Sequence, residues 1–84
     1  MIWWVYMLKT NAGSLYTGIT NNLERRLKRH REGKGAKYLR GFPNFELVYT
    51  ENAQNRSEAL KREAAIKKMT KVAKEKLIEA NLVV

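Results

Sequence analysis

The chain has 84 residues, and 44% of them are apolar, a proportion that is usual for a globular protein and argues against disorder. This length is too short for two hydrophobic cores, so residues 1–84 are expected to form one domain. There is no cysteine, which excludes disulfides and thiolate metal sites. Seventeen Lys and Arg against eight Asp and Glu give a net charge of +9, which favours a polyanionic partner such as nucleic acid.

The apolar pattern predicts six elements in the order β-β-α-β-α-α. Ile2–Leu8 contains strand formers with apolar residues on both faces, as in the middle strand of a covered sheet. The turn residues 11–14 join it to a second strand, so the chain begins with a β-hairpin. The order is typical of an α+β fold in which helices flank a three-stranded, largely antiparallel sheet. The other elements are a strand at Leu15–Thr20, a helix from Asn21 or Asn22 to about Glu32, a loop at Gly41–Asn44, a strand at Phe45–Thr50, a helix from Asn55 or Ser57 to about Met69, and a helix from Thr70 to about Asn81.

The apolar start of the chain predicts neither a targeting signal nor a membrane span. Met1–Leu8 lacks a basic segment and a cleavage site, and it is far shorter than the roughly 20 residues that cross a bilayer. A cytoplasmic location is therefore expected.

The first predicted helix carries basic side chains on two sides. At about 100° of rotation per residue, Leu23 and Leu27 define an inward stripe, with His30 between them and Arg26 at its margin. A guanidinium can hold two phosphate oxygens, but Arg26 can equally lie along the core and pair with a carboxylate. His30 also fits a histidine at the core edge that bonds a backbone carbonyl. The outward set, available to phosphates, is Arg25, Lys28 and Arg29.

The second predicted helix places Glu63 inside its inward arc. A buried carboxylate must be paired, protonated or bound to a metal ion. A salt bridge to Arg26 or Arg62 is one interpretation, and a Mg²⁺ site is the other, because that ion keeps much of its water shell and needs few protein ligands. The apolar residues of this arc are Ala59, Leu60, Ile66 and Met69.

Two tyrosines lie on the two strands of the hairpin. Tyr6 and Tyr16 are consistent with ordinary sheet aromatics. Gly18 inside the second strand indicates either the close approach of another group or a bulge.

These residues also form a known pattern. Trp4-Val5-Tyr6 and Tyr16-Thr17-Gly18 resemble the two tripeptides that name the GIY-YIG nucleases, with both tyrosines and the last glycine kept. The segment Ile19–His30 is similar to the family's helix, whose catalytic Arg stands ten residues after the second Tyr, here Arg26. Glu63 matches the metal-binding Glu of a later helix. The resemblance covers about residues 3–70 and is greatest to small stand-alone bacterial members.

The sequence departs from the family pattern at three positions. Trp4 replaces the first glycine, and Thr17 replaces the central Ile of the second tripeptide. Ile19 stands where DNA-repair relatives carry a lysine, so this chain lacks any help that the lysine gives to activation of the base.

The resemblance implies a metal-dependent endonuclease that hydrolyses phosphodiester bonds in nucleic acid, with DNA favoured over RNA. Tyr16 would be the general base, assisted by His30 or Tyr6; Arg26 would stabilise the phosphate charge, and Glu63 would bind one Mg²⁺ or Mn²⁺. These five catalytic residues are expected to converge on one face of the sheet. Phosphate contacts would come from Arg25, Lys28, Arg29, Lys34, Lys37 and Arg40.

Two alternatives to an enzyme are considered. A nucleic-acid-binding module of the same fold, with weak or no cleavage, needs only the basic surface. A protein-interaction domain gives no reason for the excess of positive charge.

Overall fold

A computed structural model describes residues 2–34 and 44–82, and these contain the predicted elements in the predicted order. The three strands form an antiparallel sheet with the order β2-β1-β3, which confirms the α+β prediction. No helix among the described residues is long and apolar enough to span a membrane. The elements are β1 (Trp3–Thr10), β2 (Leu15–Thr20), α1 (Leu23–Arg31), β3 (Phe45–Ala53), α2 (Arg56–Lys67) and α3 (Lys71–Leu82).

Polar side chains fix where the helices begin. Asn22 caps α1, and its side-chain oxygen accepts a hydrogen bond from the backbone N–H of Arg25 at 3.0 Å. Asn55 caps α2 through the N–H of Glu58 at 2.9 Å. The Thr70 hydroxyl accepts from the N–H of Ala73 at 3.1 Å in front of α3. Each bond satisfies an N–H group that a helix start leaves unpaired, so these residues set the helix boundaries.

The sheet is covered on both faces, as the apolar character of β1 predicts. Val5 and Met7 point to one face, where they pack with Tyr49 of β3. Tyr6 and Leu8 point to the other face, where they pack with α1. The residues of α1 and α2 that are buried against these faces are Leu27 and His30 of α1 and Ala59 and Ile66 of α2.

One apolar residue of α2 lies outside the core. Leu60 was expected in the inward arc, but 38% of it is exposed. The buried residues of α2, Ala59 and Ile66, form a narrow line along the helix, and Leu60 lies beside that line. The prediction for Leu60 is therefore wrong, whereas Met69 is partly buried as expected.

A polar network attaches α2 to β3. The Nε of Arg62 donates to both carboxylate oxygens of Glu51 at 2.9 Å, and the Tyr49 hydroxyl donates to the same carboxylate. This network engages Arg62, which was one of the two predicted salt-bridge partners of Glu63. The salt bridge between Glu63 and Arg62 considered from the sequence is therefore wrong.

Candidate active site

Tyr6 lies at the centre of the predicted catalytic residues. Its side chain is completely buried on the α1 face of the central strand, and its hydroxyl lies 2.9 Å from Nε2 of His30. His30 is also buried, because it belongs to the inward stripe of α1. A buried phenol and a buried imidazole, drawn from a strand and a helix, thus satisfy each other by a hydrogen bond.

Gly18 leaves room for the Tyr6 hydroxyl above the edge strand β2. It pairs with Tyr6 across β1 and β2, so a side chain at this position would point to the same face as the phenol. A Cβ atom built on Gly18 would lie 2.6 Å from the Tyr6 hydroxyl oxygen and 3.1 Å from Cε2 of Tyr16. The Tyr6 hydroxyl therefore lies over the backbone of the edge strand, and the close approach suggested by the sequence is confirmed.

Aromatic rings surround His30 on the same face. The Tyr16 ring centre lies 5.6 Å from that of His30 and 6.3 Å from that of Tyr6. Tyr16 is only partly buried, so water has access to it, whereas Tyr6 is enclosed. Phe45 of β3 meets the imidazole edge-on at 6.2 Å, a contact that sequence analysis missed because Phe45 was assigned only to a strand.

Arg26 brings positive charge to the tyrosines. Its charge and a hydrogen bond from its guanidinium both act on the Tyr6 phenol. The Nε of Arg26 is buried and has no hydrogen-bond partner among residues 2–34 and 44–82. A buried guanidinium nitrogen without a partner is costly, and a phosphate oxygen is a ligand that would satisfy it.

The surroundings hold Tyr6 and His30 in their neutral forms. Burial raises the pKa of Tyr6 far above its usual range; negative charge on Tyr16 raises it further, Arg26 lowers it, and Glu63 raises it. Burial, and secondarily the charge of Arg26, lowers the pKa of His30 below its ordinary value. At neutral pH the pair is therefore a phenol bonded to an uncharged imidazole.

Glu63 reaches this group from the opposite side of the sheet. The buried residues of its helix pack with Val5 and Met7, on the face away from Tyr6. The expectation that all five residues share one face therefore holds for four of them and is wrong for Glu63. Its charge nevertheless acts on the Tyr6 phenol and raises the pKa of that group, as the smallest of the influences on it.

The ion-pair partner of Glu63 is a lysine of the same helix. The Nζ of Lys67 lies 3.5 Å from Oε2 of Glu63, and the Glu63 side chain is 18% exposed. Sequence analysis proposed Arg26 or Arg62 as the partner and missed Lys67, although its spacing of four residues brings the two side chains together on a helix. A partly buried carboxylate that faces a mobile lysine is a possible ligand for a hard divalent cation.

The predicted phosphate contacts divide into two groups. Arg25, Lys28, Arg29 and Lys34 are all exposed, as expected. Arg25 and Arg29 line a cleft together with Arg26, and Lys28 projects from the other flank of α1. The remaining predicted contacts, Lys37 and Arg40, lie outside the described residues.

This arrangement suits chemistry on a phosphate group. It combines a guanidinium whose Nε is buried, a solvent-accessible phenol and a neutral imidazole on the α1 side of the sheet, and the charge of the Glu63 carboxylate acts on the same group. A guanidinium can hold the phosphate, while the phenol and the imidazole can accept or relay a proton.

Comparison with known proteins identifies relatives along most of the chain. Residues 2–76 match the model of the GIY-YIG catalytic domain. A UPF0213 protein of Oceanobacillus iheyensis is 51% identical over 76 residues, which are 90% of this chain and 88% of the relative. A UPF0213 protein of Yersinia enterocolitica is 49% identical over 77 residues, 92% of this chain and 79% of the relative. These names state no activity.

Two solved structures have a similar fold. The solution NMR structure of a UPF0213 protein from Bacillus halodurans has a TM-score of 0.62 and 41% sequence identity, over 95% of this chain and 85% of that chain. The solution NMR structure of a protein from E. faecalis has a TM-score of 0.67 and 39% identity, over all of this chain and 91% of that chain.

Proposed function

This chain belongs to the GIY-YIG family, and we propose that it is a metal-dependent endonuclease that hydrolyses phosphodiester bonds in nucleic acid, preferentially DNA. The family is a nuclease family that acts on nucleic acid and generally depends on a divalent metal ion. The observation that carries the proposal for this chain is the unpartnered, buried Nε of Arg26 beside the tyrosine pair. A phosphate oxygen would satisfy this nitrogen, and the positive charge beside two phenols would stabilise a phosphate under attack.

Tyr16 is assigned as the group that accepts a proton from the attacking water. Of the two phenols, only Tyr16 is partly exposed, and water must reach the base. Tyr6 keeps its proton at neutral pH, because burial raises the pKa of Tyr6. Tyr6 and His30 therefore act as a hydrogen-bonded pair that positions Tyr16 and the water.

Arg26 is assigned to the scissile phosphate. Its charge is independent of pH in the working range, and it can donate to two oxygens at once. Because Arg26 is half-buried, its guanidinium would stabilise the charge that develops on the phosphate more strongly than a fully exposed side chain would.

Glu63 is assigned as the protein ligand of one Mg²⁺ or Mn²⁺. The described residues contain no group of three His, Cys, Asp or Glu that forms a complete metal site. A single carboxylate is sufficient for Mg²⁺, which takes its other ligands from water and substrate phosphate. When bound, such an ion offsets negative charge on the phosphate and the leaving oxygen.

Replacement of Glu63 by Gln tests the proposal. Glu63→Gln keeps the shape of the side chain and removes the charge, so metal-dependent cleavage of labelled DNA should be lost while affinity measured in chelator stays the same. The melting temperature in chelator should change little, because the ion pair with Lys67 is partly exposed and contributes no more than about 1 kcal/mol. Glu58→Gln is the matched control, since Glu58 is an exposed carboxylate of α2 that also faces a lysine, Lys61 at 3.7 Å.

Two outcomes would contradict the assignment. A lowered melting temperature of the Glu63→Gln variant with cleavage retained would make Glu63 a structural residue. Nucleic-acid binding by the unmodified protein, without cleavage of single-stranded, duplex or branched substrates in Mg²⁺ and Mn²⁺, would favour a binding module.

A further inference from the structure

A cleft next to the candidate active site combines basic and aromatic side chains. It has a volume of about 300 Å³ and lies where the end of β2 leads into α1. Trp3 and Ile19 provide its apolar part, Asn22 lies at the helix start, and three arginines complete the wall. Its volume is at the lower end of the range for small-molecule sites. The arginines are Arg25, Arg26 and Arg29.

The three arginines lie on one flank of α1. Arg25 and Arg29 are four residues apart, and Arg26 lies beside them towards the sheet. Like charges at this spacing repel each other, and the described lining of the cleft contains no Asp or Glu that would offset them. Arg29 makes one weak contact, at 3.4 Å to the backbone oxygen of Lys34. The cleft is thus suited to an anion that bridges several guanidinium groups.

Trp3 gives this cleft an aromatic wall, which a row of exposed arginines on a helix would not have by itself. Trp3 is partly buried against the core cluster of Val5 and Met7, and it also lines the cleft. Aromatic side chains in basic grooves bind nucleic acid by stacking on a base while the arginines hold the backbone. The bases of an intact duplex are stacked on each other, so only a base outside the stack can lie on Trp3.

We propose that this cleft binds one unstacked nucleotide of the substrate strand, with its base on Trp3 and its phosphate between Arg25 and Arg29. This inference rests on the proposed function and adds a substrate class, nucleic acid that is single-stranded or distorted at the cut. Arg26 belongs to both the cleft and the tyrosine site, so the bound nucleotide is a neighbour of the scissile phosphate.

Tryptophan fluorescence tests stacking without cleavage. The chain has two tryptophans, so a Trp4→Phe variant leaves Trp3 as the only one. In chelator, a single-stranded oligonucleotide should quench Trp3, and a matched blunt duplex should quench it at least about tenfold less at equal occupancy, as expected for a base that must leave the duplex stack. A nucleoside monophosphate, which supplies one base and one phosphate, should also quench Trp3 when it saturates the cleft.

Two substitutions at Trp3 separate stacking from packing. Trp3→Phe keeps an aromatic face, and Trp3→Leu keeps an apolar side chain of moderate size for the core. The Leu variant should bind the single strand about 5- to 150-fold more weakly, the range for the loss of one base–aromatic stack, and the Phe variant should stay within a few-fold of the unmodified protein. Duplex affinity should be unchanged in both, and thermal melts establish that both are folded.

Two results would overturn the inference. These are equal quenching by duplex and single strand, and unchanged single-strand affinity in the folded Leu variant. Because binding is measured in chelator, the outcome is independent of catalysis. If the protein binds single strands through Trp3 but never cleaves, only the proposed nuclease activity is refuted. If it cleaves and neither binding nor cleavage depends on Trp3, only the proposed nucleotide-binding role of this cleft is refuted.

Discussion

Replacement of Gly18 by Ala tests the geometry of the site most directly. The added methyl carbon would lie 2.6 Å from the Tyr6 hydroxyl oxygen, 2.8 Å from Tyr6 Cζ and 3.1 Å from Tyr16 Cε2. Non-bonded carbon atoms attract best at about 3.5–4.0 Å, so the rings must move. Tyr6 has no free space to move into, because it is completely buried and its oxygen is held by His30 at 2.9 Å.

The cost of Gly18→Ala follows from these contacts. Displacement of Tyr6 weakens a hydrogen bond, at about 0.5–1.5 kcal/mol, and strains a packed core, at about 1–3 kcal/mol. Ala also lowers the conformational entropy of the unfolded chain, which stabilises the folded protein by about 0.4–1 kcal/mol. We therefore expect the free energy of unfolding to fall by about 0.5–4 kcal/mol, and each kcal/mol lowers the melting temperature by about 4–8 °C in a domain of this size.

Urea unfolding of a double-mutant cycle measures the effect. Tyr6→Phe removes the nearest oxygen, so Gly18→Ala should cost less in that background than in the unmodified protein. A loss of stability below about 0.5 kcal/mol, the scatter of ordinary surface substitutions, would show that Tyr6 does not cross over Gly18. An equal cost in both backgrounds would show that the hydroxyl is not the atom in conflict.

Two further predictions concern charge. The pKa of His30 is lowered in the folded protein, so below the ordinary value of about 6.5 the unfolded chain binds more protons. The free energy of unfolding should therefore fall as the pH is lowered, by at most about 1.4 kcal/mol per pH unit. Urea unfolding at several pH values should show that His30→Gln lacks this component, and the same dependence of stability on pH in that variant would contradict the prediction. Glu51→Gln should cost about 1–3 kcal/mol in the same assay, because Arg62 and Tyr49 lose their charged acceptor, whereas the exposed Glu46→Gln on the same strand should cost little, and equal effects would refute the network.

The elements were predictable because their signals are local. Apolar periodicity and capping residues lie within a few positions of each helix, and Asn22 and Asn55 cap as expected. The end of β3 was not predictable, because Glu51 and Asn52 have no strand-forming character. They belong to the strand through pairing with Val5 and Trp4 of β1, which is a contact between residues far apart in sequence.

Helical periodicity predicted the orientation of the α1 side chains but not the side of the sheet that α2 covers. Helical periodicity correctly turned His30 inward and placed Arg26 at the margin of the core. It could not show which face of the sheet α2 covers, because helical periodicity tells only which side of a helix is buried and not which face of the sheet that side meets. The expectation of a common face for Glu63 and Arg26 failed for this reason.

The position of the two charged residues on opposite faces has a chemical consequence. Arg26 and Glu63 both act on Tyr6, yet the described residues contain no ion pair between them. If they shared a face, they could neutralise each other and leave neither group for substrate or metal. The two helices that carry them pack on opposite faces of the sheet, and the Tyr6 hydroxyl occupies the space that Gly18 leaves free on the α1 face. The pair that Glu63 does form, with the exposed Lys67, is weak enough to be given up if Glu63 binds the divalent cation proposed above.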